Sequence, residues 1–242
     1  MRTIKAVILG LLCPNLIWAG CAPEKMIRVA FRDATPGLDS NSFTAKPKTL
    51  YRVGTRYGRL EELLDSENHM HGLMIANEPD LWMINLVTKT GQHIVDSEAP
   101  YYFHAPVFGA PDAPEFLKTF EFGCELAYMK EKSVSPEAAP IETRKLESYR
   151  VSQGNLTIFL AVDSKLQKPV LAALHNGDKV VSVVKYLQYD SGLEPDLTLF
   201  KAPSGVARKR HHESACCLLF RRGFARQVER TLGGTACSLK YR

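Results

Sequence analysis

Short apolar runs and polar or Gly/Pro-bearing breaks alternate along most of the chain, and their periods set the elements expected of it. Met26 to Phe31 is suited to a β-strand, and Asp33 to Asn41, rich in Asp, Ser, Pro and Gly, reads as a loop. Lys48 to Arg56 carries the next strand, closed by Tyr57-Gly58. Arg59 to Leu64 either continues it or forms a helical turn. Met70 to Ala76, Leu81 to Val87 and His93 to Val95 predict three more strands, with turns at Asn77-Glu78-Pro79-Asp80 and Thr88-Lys89-Thr90-Gly91. Ala99 to Pro111 holds three Pro and several aromatics and reads as an extended connector. Asp112 is a good helix N-cap, with Glu115 as its capping-box partner and Pro114 tolerated in the first turn. Phe116, Phe120, Gly123, Cys124 and Ala127 then form one apolar stripe, which predicts a helix of about four turns. Ser133 to Pro140 ends it.

The last third is more regular. Leu146 to Val151 is a short strand. In Asn155 to Asp163, Leu156, Ile158, Leu160 and Val162 face one way while Thr157, Phe159 and Ala161 face the other. Pro169 to Leu174 and Lys179 to Tyr189 flank Asn176-Gly177-Asp178, a strong hairpin signal. These elements predict one α+β domain, mainly an antiparallel sheet of seven or eight strands in meander order with one central helix. Several strands are apolar on both faces: Leu81, Met83 and Val87 alternate with Trp82, Ile84 and Leu86. A sheet with one solvated face would alternate apolar with polar. Such strands are either covered twice in an ordinary core or curve around an apolar space, with the helix as a lid.

Composition and charge change this picture only at the ends. The chain has 242 residues, 45% hydrophobic and 24% charged, which is globular and fits one sizeable domain or two small ones. From Pro203 onward there are nine Lys and Arg against two Glu, a surplus of +7 in a chain whose net charge is +5. The body is therefore close to neutral and gives no reason to expect nucleic acid as a partner. The tail, 207–242, reads either as a basic amphipathic helix suited to an anionic membrane surface, with Phe220, Phe224, Val228 and Leu232 at four-residue spacing, or as an extension foreign to the domain. At the other end, residues 1–22 read as an export signal: Arg2 and Lys5, then the apolar run Ala6 to Leu12, then small residues at 19–22. The domain so bounded is 23–206, placed in the periplasm or at the outer membrane, where disulfides are permitted.

Candidate chemistry is sparse. His69 and His71 could begin a metal site, but no third ligand is indicated, and solvated or edge-strand histidines are the plainer reading. No HExxH, P-loop, dinucleotide glycine signature or Gly-x-Ser-x-Gly elbow occurs. Neither a catalytic residue, a metal nor a cofactor is expected. Arg52, Arg56 and Arg59 with Glu61 and Glu62 form a charged stretch, either a solvated strand edge or a latch for the lid. Cys124, on the apolar stripe, reads as a small buried residue.

Two sets of residues carry a resemblance. Leu16-Ile17-Trp18-Ala19-Gly20-Cys21 resembles a bacterial lipobox, which implies cleavage before Cys21 and a lipid on its thiol; Trp18 stands where an aliphatic is usual, so ordinary cleavage stays equally open. Leu50-Tyr51-Arg52, Arg59-Leu60-Glu61, Leu81-Trp82-Met83-Ile84-Asn85, Tyr186-Leu187-Gln188-Tyr189, Pro195-Asp196-Leu197 and Leu199 to Val206 together resemble the outer-membrane lipoprotein-carrier (LolA-like) superfamily. The likeness spans roughly Lys48 to Val206. It departs at Arg52-Val53, where the family has Arg-Pro, and at Glu78-Pro79-Asp80, where the family has an Asp-Gly turn. It implies an incomplete, strongly curved β-barrel with a helical lid, binding acyl chains or another apolar ligand, with Arg52 as the residue that latches the lid.

The expectation is thus an exported, non-catalytic protein holding a lipid or the acyl chains of a lipoprotein. Trp82, Ile84, Leu156, Ile158 and Leu160 are candidates for the cavity wall. Each buried CH₂ contributes about 0.8 kcal/mol, so such a site needs breadth and aliphatics rather than a sharp motif. The alternative is a structural envelope lipoprotein with a solid core that acts through a protein partner.

Overall fold

The computed structural model describes residues 21–42, 45–95, 103–104, 113–132, 135–141 and 144–208. They form one open antiparallel sheet built from two meanders. The first runs β1 (Met26–Asp33), β2 (Lys48–Val53), β3 (Tyr57–Glu62), β4 (Gly72–Asn77), β5 (Asp80–Asn85) and β6 (Thr90–Val95). Two short helices follow, α1 (Glu115–Lys118) and α2 (Glu125–Glu131). The second meander is β7 (Glu137–Ile141), β8 (Arg144–Gln153), β9 (Leu156–Asp163), β10 (Lys168–Asn176) and β11 (Lys179–Leu193). A 3-10 turn, Leu197–Phe200, and the two-residue β12 (Ala207–Arg208) close the described chain. The strand order β12-β6-β5-β4-β3-β2-β1-β11-β10-β9-β8-β7 joins the meanders where β1 pairs with β11. Only β12 is parallel to its neighbour, β6.

The alternation of side chains explains which face goes where. In β1, Ile27, Val29 and Phe31 point to the helices, and Arg28, Ala30 and Arg32 point away. In β9, Ile158, Leu160 and Val162 are fully buried on the helix side. Register shifts at the β1–β11 junction bend the strands where the meanders meet, as bulges do. The sheet therefore curves, and Leu81 of β5 and Tyr149 of β8, far apart along it, share one core with α1 and α2. The helices are a lid on this inner face. The outer face of β2 to β5 has its own smaller core, in which Phe200 of the 3-10 turn packs with Leu73, Ile75 and Ile84. Arg59 Nη1 donates to Leu199 O at 3.2 Å and ties that cover down.

Several expectations are corrected here. Among the described residues the sheet has twelve strands, and of the two alternatives for Arg59 to Leu64 the strand holds as far as Glu62. The four-turn helix is two short ones, broken between Thr119 and Cys124, where Gly123 takes φ +90° and sits against Ile27. A Cβ there would stand 2.5 Å from Ile27 Cδ1, so the turn between the two helices passes Ile27 at a residue that permits the approach. Ala127 of the supposed apolar stripe is exposed, while Tyr128 and Met129 carry the packing. The sheet extends two residues past Val206, to Arg208. Asp112, residues 1–20 of the segment 1–22 expected to be an export signal, and the tail from 209 lie outside the described residues.

Candidate functional site under the helices

Beneath the lid lies a polar knot that the surrounding apolar packing isolates from water. Its centre is Arg52 on β2, fully buried. The guanidinium uses its donors on three carbonyls from different parts of the chain: Nε to Gly54 O at 2.8 Å, Nη1 to Phe122 O at 2.8 Å and Nη2 to Cys21 O at 3.1 Å. Nη2 also lies 3.0 Å from Glu121 Oε2, and the charged plane sits 5.0 Å from the Phe103 ring. Glu121 Oε2 accepts from Phe103 N at 3.0 Å. One side chain of the sheet thus bonds the N-terminal strand entry, the connector and the lid together.

Glu125, at the start of α2, extends the knot. Its carboxylate accepts from Tyr186 Oη at 2.9 Å, Tyr189 Oη at 3.0 Å and Gly123 N at 2.9 Å. Burial pushes its pKa up to about 7, against the pull of those hydrogen bonds. Burial also raises Glu121, opposed by Arg52. It pulls Arg52 down from its ordinary value, opposed by Glu121 and Glu125, and a guanidinium remains charged in any case. His104, buried near Arg52, is held down to about 4, first by burial and then by the nearby positive charge.

The apolar part of the lid fills the space around the knot. Phe122 packs on Phe31 with centroids 4.5 Å apart and on Tyr186 at 6.0 Å; Phe120 meets Tyr128 edge-on at 5.5 Å. Directly across the β2–β3 pair from Arg52 stands Gly58, and a Cβ there would run into the Phe103 ring. A glycine inside a strand marks such a close approach. Finally, Cys21 and Cys124 form a disulfide, with Cα atoms 5.7 Å apart, that staples the entry to β1 onto the first residue before α2.

The residues singled out from sequence fall into place unevenly. Arg52 lies under the lid and bonds to Phe122 O. The five candidates for a cavity wall do not form one wall. Leu156, Ile158 and Leu160 face the lid, whereas Trp82 and Ile84 lie on the outer face under the C-terminal cover. Trp82 stacks on His93 at 4.0 Å, and Ile84 is packed against protein. The alternation in Leu81 to Val87 is real, but apolar residues on both faces mean two separate cores rather than one cavity. The Cys21 sulfur is bonded to Cys124, and a sulfur held in that bond is not available for a lipid. Cys124 is buried, as expected, and is in addition the partner of that bond. The charged stretch is not an edge, because β2 and β3 are interior strands. Arg59 pairs with Glu61 at 2.8 Å, and Arg56 with Glu78 at 3.1 Å. His71 lies 3.1 Å from Glu61, and His69 sits in a turn, so the two do not share a strand face. Among the described residues no cluster of His, Cys, Asp or Glu is arranged to hold a metal, and no helix is long and apolar enough to cross a membrane.

Glu121, Glu125, Gly58 and the disulfide pairing are what sequence reading missed. Both glutamates look like the polar side of a surface helix, and only the tyrosines and Arg52 arriving from distant strands show otherwise. Gly58 was legible in principle, as a glycine flanked by strand-forming residues.

No family model matches the chain, and no curated protein matches it. Among solved structures it is similar to an uncharacterized conserved protein from Thermus thermophilus, at 11% identity over 78% of this chain and 91% of that one, with a TM-score of 0.42. It is also similar to MucB, at 12% identity over 77% of this chain and 60% of MucB, with a TM-score of 0.41. A third match, to a chain of the Pseudomonas aeruginosa MucA/MucB complex, has 12% identity over 74% of this chain and 56% of that one, with a TM-score of 0.36. These are outline likenesses; the chemistry of the site rests on this chain's own residues.

Proposed function

We propose that this is an exported, non-catalytic binding protein whose lid lifts from the inner sheet face to admit an apolar ligand, such as an acyl chain of a lipid or lipoprotein. The observation that carries the reading is how the lid is held. It lies on an aliphatic and aromatic bed, and its polar attachments to the sheet are few: Arg52 to Phe122 and Glu121, Glu125 to Tyr186 and Tyr189, and one disulfide at its N-terminal side. Releasing that small set of bonds uncovers Leu156, Ile158 and Leu160 with the rest of the inner face. The disulfide supports export, because such bonds persist in oxidising compartments. Cleavage of the signal then falls before Cys21, so that the bond is kept. A second reading, an envelope protein with a solid core that acts through a protein partner, draws on the same packing: Phe120, Phe122, Tyr128 and Met129 fill the inner face in the closed form.

Titration of a fluorescent fatty acid onto the full chain secreted from an exporting host separates them, with native mass spectrometry to count bound acyl species. Uptake that rises when the Cys21–Cys124 bond is reduced is expected of the lid reading. No uptake in either redox state would sink it and leave the partner-binding reading.

A further inference from the structure

The lid is not the only apolar surface. On the opposite face of the sheet, where the C-terminal cover does not reach, β8 to β11 form an open groove of about 550 Å³. That volume is within the range of small-ligand sites. Its floor is Phe159 of β9, Leu171 and Ala173 of β10 and Val183 of β11. These residues face outward by alternation: their strand neighbours Ile158, Leu160, Ala172 and Val184 are the ones buried under the lid. Four strands at a spacing of about 4.8 Å make the groove on the order of 14 Å across, enough for a medium-length acyl chain laid over the strands.

A cation lines one long side, and two more stand on the same sheet face beyond the other. Arg150 of β8 is exposed and stands over the Phe159 ring at 5.5 Å, which fixes a cation above the apolar floor. On the far side, Lys185 of β11 stands opposite Leu171 and shares its face, and Arg32 of β1 stands opposite Lys185. Both are exposed. Among the described residues, Arg150, Lys185 and Arg32 all lack a carboxylate within ion-pair distance, although nine such pairs occur elsewhere. The one acid lining the groove, Asp178, sits at the β10–β11 hairpin, with His175 near it. An apolar trough with such cations beside it is complementary to a molecule with an aliphatic body and an anionic head.

We infer that this outer groove is a binding site for an anionic amphiphile, a single acyl chain bearing a carboxylate or phosphate, held by Phe159, Leu171, Ala173 and Val183 with Arg150 on its head group. The site does not depend on the lid and stands or falls separately from it. Desolvation of the chain supplies affinity, and the guanidinium, which forms paired hydrogen bonds to carboxylate or phosphate oxygens, selects charge.

The test titrates the full, oxidised chain with sodium dodecanoate, with dodecyl phosphate and with neutral dodecyl maltoside, followed by backbone and methyl NMR shifts and calorimetry. Shifts are expected at Phe159, Ala173 and Val183, with Arg150→Glu weakening both anions about tenfold and leaving the maltoside unchanged. Thr157→Trp, which fills the trough from a half-buried position in its lining, is expected to weaken all three. Unlike uptake under the lid, none of this changes when Cys21–Cys124 is reduced. A preference of dodecanoate over phosphate, or the reverse, names the head group. The inference is overturned if neither variant alters binding, if the shifts gather on Phe122 and Tyr128 instead, or if no amphiphile binds below its micellar concentration.

Discussion

Arg52 is buried because it is fully occupied: three carbonyls and a carboxylate use its donors. Removing it strands Glu121 as an uncompensated buried charge, and breaking a buried pair in this way costs about 3–5 kcal/mol. Arg52→Ala is therefore expected to lower the urea-unfolding free energy by that much, and Arg52→Lys to recover little, since an ammonium cannot reach all four partners in one plane. Glu125 and His104 make a paired prediction about pH. Glu125 titrates at about 7 when folded against 4.5 in the reference state, so its contribution is complete below 4.5 and is lost as pH rises through 7. His104 titrates at about 4 against 6.5, so its contribution is complete above 6.5 and is lost as pH falls through 4. The two slopes oppose each other between pH 4.5 and 6.5, each worth about 1 kcal/mol per pH unit and about 3 kcal/mol in all. Glu121, also raised, adds to the Glu125 side. Stability of the wild type should then vary little in that window. Glu125→Gln should unmask a loss on acidification, and His104→Gln a loss on raising the pH, both read from denaturant midpoints across a pH series. A Glu125→Gln profile parallel to wild type would show that Glu125 is ionised throughout.

At the scale of elements, the lid is two short helices that could not persist alone; helices under about twelve residues are marginal in water. Packing, the Arg52 knot and the disulfide hold them. The disulfide closes a loop between residues 103 positions apart, for which chain entropy gives about 4–5 kcal/mol. Reduction, or Cys124→Ser, is expected to lower stability by up to that amount and to speed amide exchange in 113–132 well before that in β1, β9 and β10. Equal acceleration everywhere would mean that lid and sheet open only together. Gly58 tests the lid from the strand side. Gly58→Ala places a methyl into the Phe103 ring, so the expected result is loss of the Phe103–Glu121 contact and an exchange pattern like that of the reduced protein, with β2–β3 pairing retained.

At the scale of the whole molecule, the sheet has two covers on opposite faces, the lid over both meanders and the 197–206 segment over the first meander alone. The second cover rests on Phe200, 1% exposed, between Tyr57 and the outer side chains of β4 and β5. A chain ended after Arg208 should keep the melting temperature of the full protein. One ended after Glu194 exposes that core and should lose about 3–5 kcal/mol, the cost of removing a buried aromatic. Calorimetry on the two truncations decides whether the domain boundary lies where the fold places it. Among the described residues, the 197–206 segment leaves the outer face of β8 to β11 without a cover of its own.

By itself, the sequence determined most of the strands, their meander order and the split of β9 into two faces, because those follow from a period of two and from turn residues such as Asn176-Gly177. It also marked Arg52 as a residue to watch. Only tertiary structure decided what each face meets. Local pattern records that Trp82 and Ile158 are apolar, but not that a curved sheet sends one outward under a C-terminal turn and the other inward under a helix. It records Glu121 and Glu125 as helix-surface acids, but not the tyrosines of β11 and the arginine of β2 that bury them. The disulfide, the break in the helix at Gly123 and the knot around Arg52 join residues dozens of positions apart. Such contacts depend on how the two meanders close on each other, and no local pattern of polarity carries that information.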